Sequence, residues 1–232
     1  MTSKSLIYGH RGVPVKFPEN SLAGFAYAIS QHIDGLEFDV HLTKDGVPVI
    51  MHDETVDRTT NSHGKIVDYT FQELRQCTLS NGEPVPSLAE FLDLVSGENV
   101  HLNLEFKTDR QYYPGIEHKV LRMVQQTDLV YPVVFSSFNL QSLKRSYAID
   151  PTQKYAFLTS AKIGAPEAFA KSEHLEGLHL EHYQPVHHVA ERVWTVDDPS
   201  EMRQLFDRAV SAVITNDFEL AQDVRAAVWD LW

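Results

Sequence analysis

Residues 35–46 read Gly-Leu-Glu-Phe-Asp-Val-His-Leu-Thr-Lys-Asp-Gly, and 47–52 continue Val-Pro-Val-Ile-Met-His. Side chains on a strand alternate faces with a period of two. Leu36, Phe38 and Val40 therefore share one face, and Glu37, Asp39 and His41 share the other. Asp45-Gly46 lies between two strand-like runs, which is a strong hairpin signal. The strand is expected to run past its sheet, turn, and return antiparallel. That return brings His52 back level with residues 38 and 39, near Glu37 and Asp39.

Outward from this stretch, short apolar runs alternate with amphipathic helical stretches, the pattern of βαβ units and a parallel sheet. Strands are expected at 5–8, 35–40, 100–106, 132–136, 154–158, 177–180, 192–195 and 212–215. Helices are expected at 21–32, 87–95, 116–126, 140–148, 166–172, 200–208 and 219–228. Asn20 or Ser21 can cap the first of these, and Pro199 sits where a helix start tolerates proline. Eight strands with intervening helices predict an α/β fold, a closed (β/α)8 TIM barrel, with an open doubly wound sheet as the alternative. Residues 1–232 read as one domain, since barrels of this class run to roughly 250 residues. Residues 53–86 hold turn formers and no clear barrel element. They read as a small insertion at the rim, over the barrel mouth, following the hairpin extension of the second strand.

The formal net charge of −12 disfavours nucleic acid and anionic lipid surfaces as partners. An anionic substrate then needs local positive charge or a cation. The single cysteine, Cys77, precludes an intrachain disulfide and reads as a small buried hydrophobe. Met-Thr-Ser-Lys leads directly into Leu6-Ile7-Tyr8, so neither a signal peptide nor a membrane span is expected and a cytoplasmic location follows.

In a barrel, the apolar strand face meets the helices and the other face points inward. In the run 100–106, Leu102, Leu104 and Phe106 share one face, and Asn103, Glu105 and Lys107 the other. Glu37, Asp39 and Glu105 inside one barrel repel one another unless positive charge sits between them. A divalent cation answers this, and all-oxygen ligands favour Mg2+ or Ca2+ over zinc. An internal salt-bridge network through Lys107 and Arg11 is the structural alternative. His10-Arg11-Gly12 follows the first strand at the C-terminal rim, where barrel active sites lie. With His52 returned by the hairpin, two histidines meet three carboxylates. Such a pair is suited to acid–base work near neutral pH.

These stretches occur together with others, in order along the chain: Pro-Glu-Asn at 18–20, Pro-Val-Ile-Met-His-Asp at 48–53, Asp-Arg-Thr-Thr at 57–60, Leu-Glu-Phe-Lys at 104–107, Phe-Ser-Ser-Phe at 135–138, Val-Trp-Thr-Val at 193–196 and Ile-Thr-Asn-Asp at 214–217. In this set the chain resembles the glycerophosphodiester phosphodiesterase family over nearly its whole length. The resemblance implies a barrel, one divalent cation on Glu37, Asp39 and Glu105, and catalytic His10 and His52. It implies a phosphate held by Arg11 and Lys107. Trp194 reads either as an aromatic wall for the substrate or as barrel core, and Phe138 is similar. Glu19 and Asn20 are expected to brace the first loop, and Asn103 to stand behind the ligands. His179, His182, His187 and His188 are expected at the surface. Asp197, where the family often has Asn, and Phe218, where Pro is common, depart from the pattern.

The implied reaction is hydrolysis of a small glycerophosphodiester to sn-glycerol 3-phosphate and an alcohol. It runs by attack of the glycerol 2-hydroxyl and then hydrolysis of the cyclic phosphate, with His10 as first base and His52 as first acid. No stable membrane association is implied. A phospholipase C/D-like enzyme acting on lysophospholipids and a non-catalytic phosphodiester-binding barrel are the alternatives.

Overall fold

Phe38 sets the orientation of the strand that decides the fold. It is fully buried and packs between Phe25 and Phe91, with ring centroids 6.3 and 4.2 Å away. Phe25 lies on helix α1 (Leu22–Ser30) and Phe91 on α3 (Leu88–Val95). Removing such side chains from water stabilises by about 1.5–3 kcal/mol each. The apolar face of β2 (Gly35–Leu42) is thereby committed to the helices, and Glu37 and Asp39 are turned inward.

The computed structural model describes residues 4–229. Met1-Thr2-Ser3, on which the leader reading partly rests, lie outside the described residues. Strands β1 (Leu6–His10), β2, β4 (His101–Phe106), β5 (Val134–Ser137), β6 (Lys154–Thr159), β7 (Gly177–Leu180), β8 (Ala190–Val193) and β9 (Ala212–Thr215) are parallel neighbours in a ring. The ring closes where β1 pairs with β2, Tyr8 opposite Gly35 and His10 opposite Glu37. That closure makes a TIM barrel and excludes the open sheet. Strand β3 (Pro48–Ile50) stands outside the ring, antiparallel to β2. The seventh barrel strand, β8, begins and ends two residues earlier than expected, at Ala190 and Val193.

Ser21 caps α1 by accepting from Gly24 N–H, and Asp198 caps α7 (Pro199–Asp207), with proline in the first turn. Residues 53–86 contain a 3-10 turn, Ile66–Asp68, and a one-turn helix α2, Phe71–Leu74, closed by a capping box between Thr70 and Glu73. They carry a small apolar centre of their own, in which Val56, Ile66, Leu74, Cys77 and Val85 pack with Val49 and Met51. Cys77 is the small buried residue expected. Among the described residues no helix is long and apolar enough to cross a membrane.

Candidate active site

Strand register assembles the site at two adjacent levels of the barrel. His10 lies opposite Glu37, and Asp39 opposite Glu105. In the hairpin Val40 faces Ile50, so the same register places residue 52 opposite residue 38. Arg11, in the left-handed region at φ 55°, and Gly12, at φ 90°, reverse the chain directly after β1. A Cβ on Gly9 would stand 2.3 Å from Gly12 O, so only glycine fits beneath this turn. The turn aims Arg11 N–H at Glu37 Oε2, 3.0 Å away.

Glu37, Asp39 and Glu105 are all buried, and one carboxylate oxygen from each lies within 4.8 Å of the others. Lys107 Nζ stands 2.8 Å from Glu105 Oε1 and 3.7 Å from Asp39 Oδ1. Arg11 Nε is 3.6 Å from Asp39 Oδ2, which also accepts from Asn20 Nδ2 at 2.9 Å. Burial works against ionised Asp39, but Lys107 and Arg11 outweigh it and hold its carboxyl down at about 2. Burial pushes Glu105 up to about 7 in spite of Lys107. Burial, then Asp39 and Glu105, push Glu37 well above the usual carboxylate range. Asp39 Oδ1 accepts no hydrogen bond. This crowded, all-oxygen donor set fits a hard divalent cation, which lets the three stay ionised together.

The two histidines have contrasting partners. His10 Nδ1 is 2.8 Å from Asn216 Oδ1, the oxygen of a neutral amide. His52 Nδ1 is 2.7 Å from Asp53 Oδ1, a carboxylate. Burial and the adjacent Arg11 push the His10 imidazole down to about 4, so it is neutral at pH 7. Asp53 also accepts from Arg58 Nε at 2.7 Å, and Arg58 reaches back to both oxygens of Glu19, which accepts from Arg11. Glu19 thus braces the first loop, as expected, and ties it to the loop carrying His52. Ser21 rather than Asn20 caps the helix, and Asn20 serves Asp39.

His10, Arg11, Glu37, His52, Glu105, Lys107, Phe138 and Trp194 line one cavity of about 600 Å3. Asp39 is not on its wall. Phe138 and Trp194 meet edge to face, with centroids 5.4 Å apart. Trp194 lines the cavity and also packs against Tyr8, Ala212 and Ile214. Asn103 donates to Ser136 Oγ at 2.7 Å and lines the same cavity. Of the segment 53–86, only Asp53, Glu54 and Thr55 reach the cavity.

One expectation is corrected. His179 is not at the surface: it is fully buried on β7 and lines the cavity, with Arg192 Nη1 3.3 Å from its Nε2. Leu178 and Leu180 turn outward into the core, and strand alternation then sends His179 inward. His182, His187 and His188 are exposed, as expected. Asn216, Asp53 and Arg58 lie inside the quoted motifs at 214–217, 48–53 and 57–60, but nothing in those motifs revealed their partners.

The sequence model of the Glycerophosphoryl diester phosphodiesterase family matches residues 10–220. The chain belongs to this family. It is 33% identical over 232 residues to a glycerophosphodiester phosphodiesterase of Caldanaerobacter subterraneus subsp. tengcongensis, covering 93% of this chain and 96% of that one. An Oleispira antarctica phosphodiesterase, solved with the product sn-glycerol-3-phosphate, is 28% identical with a TM-score of 0.85, over 97% of both chains. A structure from Agrobacterium tumefaciens, 24% identical over 97% of this chain and 98% of its own, shares the fold at a TM-score of 0.88.

Proposed function

We propose that this chain hydrolyses glycerophosphodiesters to sn-glycerol 3-phosphate and an alcohol, with His10 and His52 as the acid–base pair and a divalent cation, Mg2+ or Ca2+, as cofactor. The observation that carries the reading is a single cavity with two differently partnered histidines beside three buried carboxylates. The product bound in the Oleispira antarctica phosphodiesterase supports the substrate class.

Glu37, Asp39 and Glu105 would hold the cation. When bound, it acts as a Lewis acid, withdrawing charge from the phosphoryl group and orienting the substrate. Three carboxylates beside Arg11 and Lys107 leave a formal charge of about −1, and a divalent cation turns it to about +1, which attracts an anionic diester. Arg11 and Lys107 donate charge-assisted hydrogen bonds to the phosphate oxygens as negative charge builds. Both stay protonated: burial opposes this, but for Lys107 the pull of Glu105 and Asp39 prevails, and for Arg11 that of Asp39 and Glu19.

Neutral His10 takes the proton of the glycerol 2-hydroxyl as its oxygen attacks phosphorus. His52, held by Asp53, gives a proton to the departing alcohol oxygen. In the second step His52 takes a proton from water, whose oxygen opens the cyclic phosphate, and His10 returns its proton to the 2-oxygen. Phe138 and Trp194 shield the glycerol face. The whole chain works as one barrel domain, with 53–86 as the rim insertion that walls one side. Net charge supports the absence of stable membrane or nucleic-acid association.

Turnover of glycerophosphocholine with and without EDTA tests this reading. Cation-dependent release of choline is the expected result. Binding without release would place the chain among non-catalytic phosphodiester-binding barrels instead.

A further inference from the structure

Asp197 and Asn216 follow β8 and β9, and neither lines the cavity. Their side chains nevertheless form one hydrogen-bonded line that ends on His10. Asn216 Nδ2 donates to Asp197 Oδ2 at 2.6 Å. Asp197 Oδ1 accepts from Asn216 N–H at 2.9 Å and from Thr215 Oγ1 at 3.0 Å. Asn216 Oδ1 is then left 2.8 Å from His10 Nδ1.

The chemistry of these groups sets the direction of the line. An amide fits a site in either of two flipped orientations, and its hydrogen-bond partners decide between them. A carboxylate only accepts, so it selects the NH2 end of Asn216 and turns the oxygen toward His10. Facing an acceptor, His10 Nδ1 must carry the hydrogen. In a neutral imidazole the other nitrogen, Nε2, then holds the lone pair. Asp197 makes three such contacts to consecutive groups of 215–216, so its two oxygens cannot trade roles without breaking them.

We propose that Asp197, acting through Asn216, is a positioning residue that fixes His10 as the Nδ1–H tautomer and keeps Nε2 as its proton-accepting atom. The functional half of this inference rests on the reading of His10 as base. It gives a role to a position where the sequence departs from the family pattern, and it needs no contact between Asp197 and substrate.

The test is the variant D197N beside the double variant D197N/N216D, each with Mg2+ present. In D197N the retained oxygen still accepts from Asn216 N–H and Thr215 Oγ1, so the introduced NH2 meets the Asn216 NH2. Flipping the Asn216 amide relieves the clash and points an N–H at His10 Nδ1. The lone pair must then move to Nδ1 and the hydrogen to Nε2. In the double variant the introduced NH2 donates to the introduced carboxylate, which again accepts from His10 Nδ1.

Nitrogen-15 NMR of histidine-labelled protein reads the tautomer without substrate, and H10Q identifies the His10 signals by their loss. The expected result is an Nδ1–H tautomer in the parent protein, an Nε2–H tautomer in D197N, and the parent pattern in the double variant. Turnover follows the same order: kcat falls about 10-fold or more in D197N, within the range a general base supplies. KM changes less than about twofold, because a transition-state interaction is lost, and the double variant recovers kcat. A D197N protein with the parent tautomer overturns the proposal, whether or not its kcat falls. So does a double variant that leaves His10 as Nε2–H. Near-parent turnover by H10A would instead fail the assignment of His10 as base, and the spectra keep these two failures apart.

Discussion

Asp53 Oδ1 lies 2.7 Å from His52 Nδ1, and Arg58 holds the same carboxylate from its other side through Nε at 2.7 Å. His10 has only a neutral amide in the equivalent place. The two histidines thus face one cavity with different partners behind them.

Leaving-group chemistry tests the duties proposed for the two histidines. H52A is expected to lose on the order of 10²–10⁴-fold in kcat on glycerophosphocholine, whose alcohol needs a proton to depart. A p-nitrophenyl diester, whose leaving group needs none, should restore most of that loss in H52A and little of it in H10A. Equal rescue of both variants would reject the assignment.

Cation dependence has a structural readout as well as a kinetic one. Chelation should abolish turnover, and Mg2+ or Ca2+ should restore it. Cation binding to the native state alone raises the melting temperature with concentration. The variants E37Q, D39N and E105Q should each lose most of that rise. A rise undiminished in all three would exclude this carboxylate set as the site.

Phe38 sits at 0% exposure between Phe25 and Phe91. F38A should cost about 3–5 kcal/mol, because the helices across the sheet cannot collapse fully into the gap. Urea denaturation measures this, and a cost below about 1 kcal/mol would mean that the cluster is not what orients β2.

His179 links pH to stability. Burial, and then Arg192 beside it, push its imidazole well below the usual value. Its unfolded pKa is near 6.5, so below about 6.5 the unfolded chain binds a proton that the native one refuses. The stability from this depressed group is present above that pH and lost as pH falls. H179Q removes the linkage. Between about pH 7.5 and about pH 5.5 the parent protein should lose more unfolding free energy than the variant, and equal losses would reject it.

The rim segment invites a deletion. Val56 N–H donates to Gly64 O, and Ile66 N–H to Glu54 O, so the turn between them supports the residues that reach the cavity. Shortening 61–65 should raise cleavage of lysophospholipid relative to glycerophosphocholine. Unchanged selectivity with unchanged turnover would show that the segment does not limit the group beside glycerol.

Much of this protein was legible locally. Alternation along 35–42 separates Leu36, Phe38 and Val40 from Glu37 and Asp39. Asp45-Gly46 sets a register that returns His52 to their level. Both follow from strand periodicity and turn chemistry within about twenty residues. Eight strand signals in order likewise predicted the barrel. The same alternation at 177–180 would have placed His179 inward had it been applied there.

The partner of His10 and the tie between the two rim loops were decided only by the closed fold. Asn216 is 206 positions from His10 and meets it because β9 pairs with β1 in the ring. Glu19 and Arg58 are 39 positions apart and meet across the mouth. Local propensity and pattern determine which residues share a strand face and where the chain turns. Which side chain stands behind His10 depends on barrel closure, and closure is a property of all eight strands together.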